Sequence, residues 1–262
     1  MTTTTTTTLT SLRALLRNLH IDLPTKVTTV YADADKLHES ADAIKPATAK
    51  DVATAWAAAI LNDRDPYTDP AVQRLITTRA LGDGIGHVMG DVVDDQLVDA
   101  YRASTNTILE DLRNIANEAG DTLLEANTVL QGLRLEDREA IAARGSKHLA
   151  AWEQATAAKR VILDVDRAWG WLQTLTRFAP ASEWIIRLAQ VDLPTFEQHR
   201  HRRDPWELIC AGHRIDLAID TATIAERKRH LDQQRAARHS AQDDAFRHLV
   251  NPRAGISIVP AT

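Results

Sequence analysis

The chain has 262 residues, of which 44% are hydrophobic and 26% are charged, and its formal net charge is −5. This composition is typical of folded globular proteins and excludes a wholly disordered chain. The single cysteine, Cys210, excludes an intramolecular disulfide and fits a reducing compartment, so we expect a cytoplasmic protein. No apolar run approaches the ~20 residues of a membrane-spanning helix, and the start of the sequence lacks the pattern of a secretory signal, so no membrane partner is expected.

The residue types favour helices throughout. Good helix formers dominate and runs of β-branched residues are few, which predicts an all-α helical bundle with a long antiparallel helical hairpin or coiled-coil-like arm. In chain order we predict a disordered Thr-rich lead-in at 1–9, an N-terminal helical region at 10–85, the long hairpin at 86–158, a Trp-containing helical region with a mixed-charge basic helix at 159–250, and a tail at 251–262.

Four of the ten glycines lie within "GDGIGHVMG", residues 82–90. A phosphate-binding loop requires a preceding strand and a Lys-Ser or Lys-Thr pair, and this stretch has neither. Glycines at a spacing of four could share a helix face, but each costs ~1 kcal/mol relative to alanine. We therefore predict a turn at 82–86 that leads into the long helix.

The long helix carries a heptad-like pattern of apolar residues. It is predicted to form a seam that holds a partner helix, either from the same chain or from a second copy. The seam residues are Tyr101, Ile108, Leu112, Ile115 and Ala119.

An acidic stretch follows the glycines. Asp91, Asp94 and Asp95 lie near the predicted start of the helix, where they interact favourably with its dipole. The sequence "DDQLVD" at 94–99 also loosely resembles the aspartate-rich motif of isoprenoid synthases. That resemblance implies that Asp91, Asp95 and Asp99 hold Mg²⁺, which binds a pyrophosphate, but no second acidic motif is found.

A second set of possible metal ligands lies in "HRHRRDPWELICAGH" at 199–213. His199, His201, Cys210 and His213 are ligand types that suit Zn²⁺, although their spacing is not that of a standard zinc motif. We favour neither metal site, and no cofactor is predicted.

Basic residues are concentrated in the last quarter of the chain, where 199–262 holds 11 Lys and Arg against 8 Asp and Glu. Arginines supply sequence-independent affinity for nucleic acid, although the interleaved acidic residues weaken the field. The candidate contacts are Arg200, Arg202, Arg203, Arg227, Lys228, Arg229, Arg235 and Arg238.

The sequence therefore favours a non-enzymatic structural, assembly or adaptor protein that acts through helix-helix contacts with itself or another protein. The first alternative is a nucleic-acid-binding accessory protein, and the second is a Mg²⁺-dependent enzyme that handles pyrophosphate. Arginine outnumbers lysine, which is typical of GC-rich bacterial, phage or mobile-element genes.

Overall fold

A computed structural model describes residues 3–43 and 47–250. Within these ranges the chain is all-α and contains no strand, which confirms the predicted fold class. The helices are α1 (Thr3–Asn18), α2 (Thr25–Ala43), α3 (Ala49–Leu61), α4 (Pro70–Leu130), α5 (Arg138–Ala142), α6 (Ser146–Thr176), α7 (Trp184–Leu188), α8 (Leu193–His199), α9 (Pro205–Cys210) and α10 (Thr221–Val250).

The helices form two compact units. Unit 1 comprises Met1–Ile108 with Thr174–Thr176, and unit 2 comprises Leu109–Gln173 with Arg177–Thr262. The long helix α4 contributes to both units, so the division between them falls inside it. The regional boundaries expected near residues 86 and 158 stay a prediction. The predicted tail at 251–262 lies outside the described residues.

Unit 1 is built around the leucine-rich face of α1. Leu9, Leu12 and Leu16 are almost completely buried. The hydroxyl of Thr6 donates a hydrogen bond of 2.5 Å to the buried carboxylate of Asp94 on α4. Helix α1 therefore begins at Thr3, and the prediction of disorder across 1–9 is wrong for residues 3–9. Threonine has low helix propensity, but burial of the leucines outweighs it.

Helix α4 continues through the glycine-rich stretch. It runs from Pro70 to Leu130 without interruption, so the predicted turn at 82–86 is wrong. The physical reason lies in the backbone, because glycine, unlike proline, keeps its N–H and can continue the helical hydrogen-bond pattern. The cost of ~1 kcal/mol per glycine is small beside the cooperativity of helix on both sides.

Unit 2 contains the antiparallel hairpin formed by the second part of α4 and by α6. One groove of about 370 Å³ is lined by residues 115–122 of α4 and 154–161 of α6. Both segments are separated by the same number of residues from the connection that joins the two helices, so the helices run side by side in opposite directions. The indole N–H of Trp152 donates to the carbonyl of Leu135 at 2.7 Å, which anchors that connection to α6. Supercoiled knobs-into-holes packing in this hairpin stays a prediction.

Buried ionic groups hold the C-terminal helices of unit 2 together. The Arg187 guanidinium on α7 donates to the Asp166 carboxylate on α6 at 2.5 and 2.9 Å, and both residues are buried. The indole N–H of Trp169 donates to the carbonyl of Ala218 at 2.9 Å. These bonds pair polar groups that would otherwise be buried without partners, which is a condition for packing them in a core.

None of the helices in the described ranges combines the length and the hydropathy that crossing a bilayer requires.

Candidate protein interaction surface

Helix α3 in unit 1 has strong local reasons to form. Thr48 is its N-cap, and the Thr48 side chain accepts a hydrogen bond of 3.1 Å from the backbone N–H of Asp51. The Asp51 carboxylate in turn accepts from the backbone N–H of Thr48 at 2.8 Å, which completes a capping box. The hydrogen bonds from Thr48 hold the pKa of Asp51 below its ordinary value. Six alanines among 13 residues add the highest available helix propensity.

The turn between α3 and α4 is held by two aspartates. Asp65 accepts a hydrogen bond of 3.0 Å from the backbone N–H of Tyr67. Asp69 is buried, and it accepts from the N–H groups of Ala71 and Val72 at 2.9 and 3.2 Å, which caps the first turn of α4. The guanidinium of Arg64 lies 2.6 Å from the other Asp69 oxygen. The turn is therefore fixed by charge-assisted bonds rather than by apolar packing.

The apolar side chains of α3 and of this turn are not covered. Of the 13 residues of α3, all of which the structure describes, Ala59 alone is buried. Leu61, Tyr67 and Ile60 are 84%, 73% and 56% exposed. The half-buried indole of Trp56 meets the Tyr67 ring edge to face, with 4.9 Å between the centroids. We call Trp56, Ile60, Leu61 and Tyr67 the α3 surface.

Three of the four side chains of the α3 surface are linked through Trp56, and Leu61 extends the exposed apolar area at the end of the helix. Trp56 and Ile60 are one helical turn apart, so they are neighbours on the helix, and Tyr67 contacts Trp56 directly. Removing an exposed leucine or isoleucine side chain from water is worth ~1.5–3 kcal/mol. Adjacent exposed apolar side chains of this size are typical of a surface that another molecule covers.

The predicted interaction seam is not an external surface. Tyr101, Ile108 and Leu112 are fully buried within the chain, and Ala119 is 7% exposed. In unit 1 the Tyr101 hydroxyl lies 3.4 Å from that of Tyr31 on α2, and burial raises the pKa of Tyr101 above its ordinary value. The sequence leaves open whether the partner helix comes from the same chain or from a second copy, and the burial of these residues shows that the chain's own helices cover most of the seam. Ile115 is half-buried and lines the α4–α6 groove with Ala119.

The aspartates of the candidate magnesium site, Asp91, Asp95 and Asp99, follow one another at a spacing of four on α4. Asp94 is buried against α1, whereas Asp95 and Asp99 are exposed. Asp99 pairs with Arg102 of its own helix at 2.5 Å, and Asp91 is half-buried. Within the described ranges, no three Asp, Glu, His or Cys side chains come together in a way that could hold a metal ion. The described residues therefore show no second carboxylate cluster facing Asp91, Asp95 and Asp99.

The residues of the predicted zinc set are likewise separated. His199 is buried, and its Nδ1 lies 2.7 Å from Glu207 Oε2. His213 Nε2 lies 3.0 Å from the hydroxyl of Thr195, and Cys210 Sγ lies 3.8 Å from Asn127 Oδ1. His201 is exposed and accepts from Arg200 Nε at 3.0 Å. Each side chain has a different protein partner, so the set does not converge on one metal position.

The candidate nucleic-acid contacts are mostly engaged within the protein. Arg227 is 5% exposed and donates to the carbonyls of Ile186, Arg187 and Asp216 at 2.7–3.1 Å. It also donates to the Asp216 carboxylate at 2.8 Å, and burial lowers its pKa. Arg227 is therefore a structural residue and not a nucleic-acid contact, which corrects that prediction.

The other basic candidates have weaker internal contacts. Arg235 pairs with Asp232 at 2.6 Å, Arg238 pairs with Glu197, and Arg202 lies 3.6 Å from Glu207. Lys228 donates to the carbonyl of Ala181 at 3.4 Å, and Arg200 donates to His201. Arg203 and Arg229 are exposed. The acidic partners reduce the positive field of this region.

The sequence pattern does not identify the α3 surface as exposed. It predicts a helix carrying Trp56, Ile60 and Leu61, and it indicates a turn at "NDRDPYTDP". A packed helix and an uncovered helix can carry apolar residues at the same spacings, so the pattern does not distinguish them. The one signal in the sequence is the apolar character of α3 on nearly every side, which is unusual for a helix at a protein surface.

No protein-family model, no curated protein and no solved structure matches this chain. Function must therefore be inferred from the geometry of the described residues.

Proposed function

We propose that this protein is a non-enzymatic assembly or adaptor protein that acts through helix-helix contacts, and that it pairs with a second copy through the α3 surface. The observation that carries the proposal is the exposure of Ile60, Leu61 and Tyr67 on and beside a helix of which one residue is buried. Packing in a core explains apolar side chains that are covered, but it does not explain the exposed side chains of Ile60, Leu61 and Tyr67.

The composition of α3 suits a partner helix. Small alanine side chains allow two helices to approach closely, within the usual interaxial distance of ~8–10 Å. Trp56 and Tyr67 belong to the residue types that contribute most to binding energy in protein interfaces, because a large aromatic surface is buried at low entropic cost. Leu61 and Ile60 add aliphatic contacts at the end of the helix.

Charge favours a second copy as the partner. Within α3 the charged residues are Lys50 and Asp51, both in the first turn and away from Ile60 and Leu61. In a twofold-symmetric contact the same patch faces itself, so a charged patch would meet like charge. The four side chains of the α3 surface are themselves uncharged, and the exposed residues that flank them in the turn, Asp63, Arg64 and Asp65, carry charges of both signs. This limits like-charge repulsion, even though the whole chain carries a net charge of −5.

The test is the mass of the full-length protein by light scattering across a range of concentrations. We expect a dimer for the wild type and a monomer for Ile60→Asp/Leu61→Asp, because burying two carboxylates in an apolar contact costs more than the contact contributes. Since both side chains are exposed, we expect the circular dichroism spectrum to be unchanged.

Val88→Asp/Val92→Asp is the matched control. These two α4 valines are 60% and 48% exposed, and their replacement likewise exchanges two exposed aliphatic side chains for two carboxylates. The control should remain a dimer. A wild type that is monomeric at every concentration, or a dimer that survives Ile60→Asp/Leu61→Asp, would overturn the proposal. The ratio of the absorbance at the nucleic-acid maximum to that at the protein maximum, recorded on the same sample, reports any nucleic acid bound by the C-terminal arginines.

A further inference from the structure

A cleft of about 550 Å³ lies in unit 1 between α1 and the start of α2. Its volume falls within the range of small-molecule sites, ~300–1,000 Å³. The polar residues that line it are Thr10, Arg13, Arg17, Asp22 and Thr28, and apolar walls come from Ile21 and Leu23. None of these residues belongs to the α3 surface, so a ligand could occupy the cleft whether or not the proposed dimer forms.

Two arginines dominate the charge of this cleft. Arg13 and Arg17 are four residues apart on α1, so their side chains are neighbours on one face of the helix. Like charges at this spacing destabilise a helix unless something neutralises them. Among the described residues, no carboxylate comes within 4.0 Å of either guanidinium, although Asp22 lines the same cleft. Two cations facing one anion leave the cleft positive within a chain of net charge −5.

Tyr31 holds one of the two arginines in place. The Arg13 guanidinium lies 4.0 Å from the centroid of the Tyr31 ring, a cation–π contact. The hydroxyl of Tyr31 in turn lies 3.4 Å from that of the fully buried Tyr101. A guanidinium positioned in this way loses less conformational freedom when it binds an anion.

We propose that this cleft binds a small organic phosphate ester. The guanidinium groups of Arg13 and Arg17 suit the doubly charged phosphate, because arginine donates paired N–H groups to phosphate oxygens. Ile21 and Leu23 contact the organic part of the ligand, and the Asp22 carboxylate accepts a hydrogen bond from a hydroxyl or amino group on it. A bare inorganic anion would leave the apolar wall without a partner.

The experiment is calorimetric titration of the full-length protein, in a buffer without phosphate or sulfate, with phenyl phosphate and separately with inorganic phosphate. We expect phenyl phosphate to bind at least tenfold more tightly than inorganic phosphate. Arg13→Gln/Arg17→Gln should weaken phenyl phosphate binding at least tenfold, and Arg17→Gln alone, which leaves the Arg13–Tyr31 contact intact, should weaken it several-fold.

The matched control is Arg74→Gln/Arg79→Gln, which removes two exposed arginines from α4 in the same unit and makes the same change in net charge. It should bind phenyl phosphate with wild-type affinity. The proposal is overturned if the wild type binds neither ligand, or if the control loses as much affinity as Arg13→Gln/Arg17→Gln. Equal affinity for the two ligands would overturn the assignment of an organic ester.

Discussion

Arg227 illustrates how three consecutive basic residues can have three different environments. The run Arg227, Lys228 and Arg229 predicts a basic surface, and Arg229 is indeed exposed. Successive residues on a helix point ~100° apart, however, so Arg227 faces α7, where the carbonyls of Ile186 and Arg187 accept its N–H groups. A sequence shows that a residue is charged, but not which acceptors the fold brings to it.

Removing the Arg227 guanidinium should destabilise the protein. Arg227→Ala removes the N–H groups that bond to the carbonyls of Ile186 and Asp216 and to the Asp216 carboxylate, and we expect the free energy of unfolding to fall by at least ~2 kcal/mol. Arg229→Ala, at an exposed position two residues away, should change it by less than ~0.5 kcal/mol. Urea denaturation of both variants measures the difference. If both variants changed the free energy of unfolding by the same amount, the buried hydrogen bonds of Arg227 would contribute nothing to stability.

Cys210 offers a prediction about pH. Its residue surface is exposed, but partial burial of the thiol, followed by the negative charges of Asp204 and Glu207, raises its pKa to about 11. The thiolate is the reactive form, so alkylation by iodoacetamide should accelerate roughly tenfold for each pH unit up to about pH 11. For a short unstructured cysteine peptide, the alkylation rate should level off near pH ~8.5. A plateau for the protein at the peptide's pH would contradict the raised pKa.

At the scale of elements, the sequence predicts the helices better than it predicts their ends and their surroundings. Apolar periodicity correctly identifies helices at α1 and α3 and two long helical segments within 86–158, although α4 begins earlier, at Pro70, and α6 ends later, at Thr176. It fails at the Thr-rich start of α1 and at the glycines of α4, because burial and helix cooperativity override local propensity there. It also cannot decide what covers an apolar face, so it leaves open whether the seam at Tyr101 and Ile108 contacts the same chain or a second copy, whereas in the structure both residues are buried within the chain.

Two glycines of α4 should respond to alanine in opposite ways. A Cβ at Gly90 would meet no atom within 4 Å, so Gly90→Ala should raise the free energy of unfolding by ~1 kcal/mol through helix propensity. A Cβ at Gly120 would lie 2.7 Å from the Ile215 Cβ, and such overpacking costs ~1–3 kcal/mol. Gly120→Ala should therefore be destabilising.

Thermal or urea unfolding of the two glycine variants and the wild type shows in one experiment whether each substitution raises or lowers the free energy of unfolding. A loss of stability for Gly90→Ala would argue against a regular helix at that position. A gain for Gly120→Ala would show that α4 and the segment containing Ile215 do not approach as closely as 2.7 Å implies.

At the scale of the whole molecule, composition suffices for the all-α class, whereas the interaction surfaces depend on contacts between distant residues. Cys210 and His213 look like metal ligands in sequence, but their partners Asn127 and Thr195 lie far from them along the chain. The Arg13 and Arg17 cleft requires α2 to fold beside α1, which residue spacing on α1 alone does not indicate.

The chemistry of the α3 surface determines how association should respond to salt. Because the four side chains of the α3 surface carry no charge, the dimer should persist when sodium chloride is raised, and sodium sulfate should strengthen it. A complex held by the C-terminal arginines would instead dissociate steeply with salt. Light scattering at low and high sodium chloride distinguishes the two, and dissociation at high salt would count against the α3 surface.

The distance along the chain between contacting residues also affects how the protein is made. Thr6 bonds to Asp94, 88 residues later, and Tyr31 meets Tyr101, 70 residues later. A ribosome adds ~5–20 residues per second, so the leucine face of α1 waits several seconds before α4 is synthesised. During that interval α1 lacks its native contact with α4, which makes the nascent α1 a natural segment for a chaperone to bind.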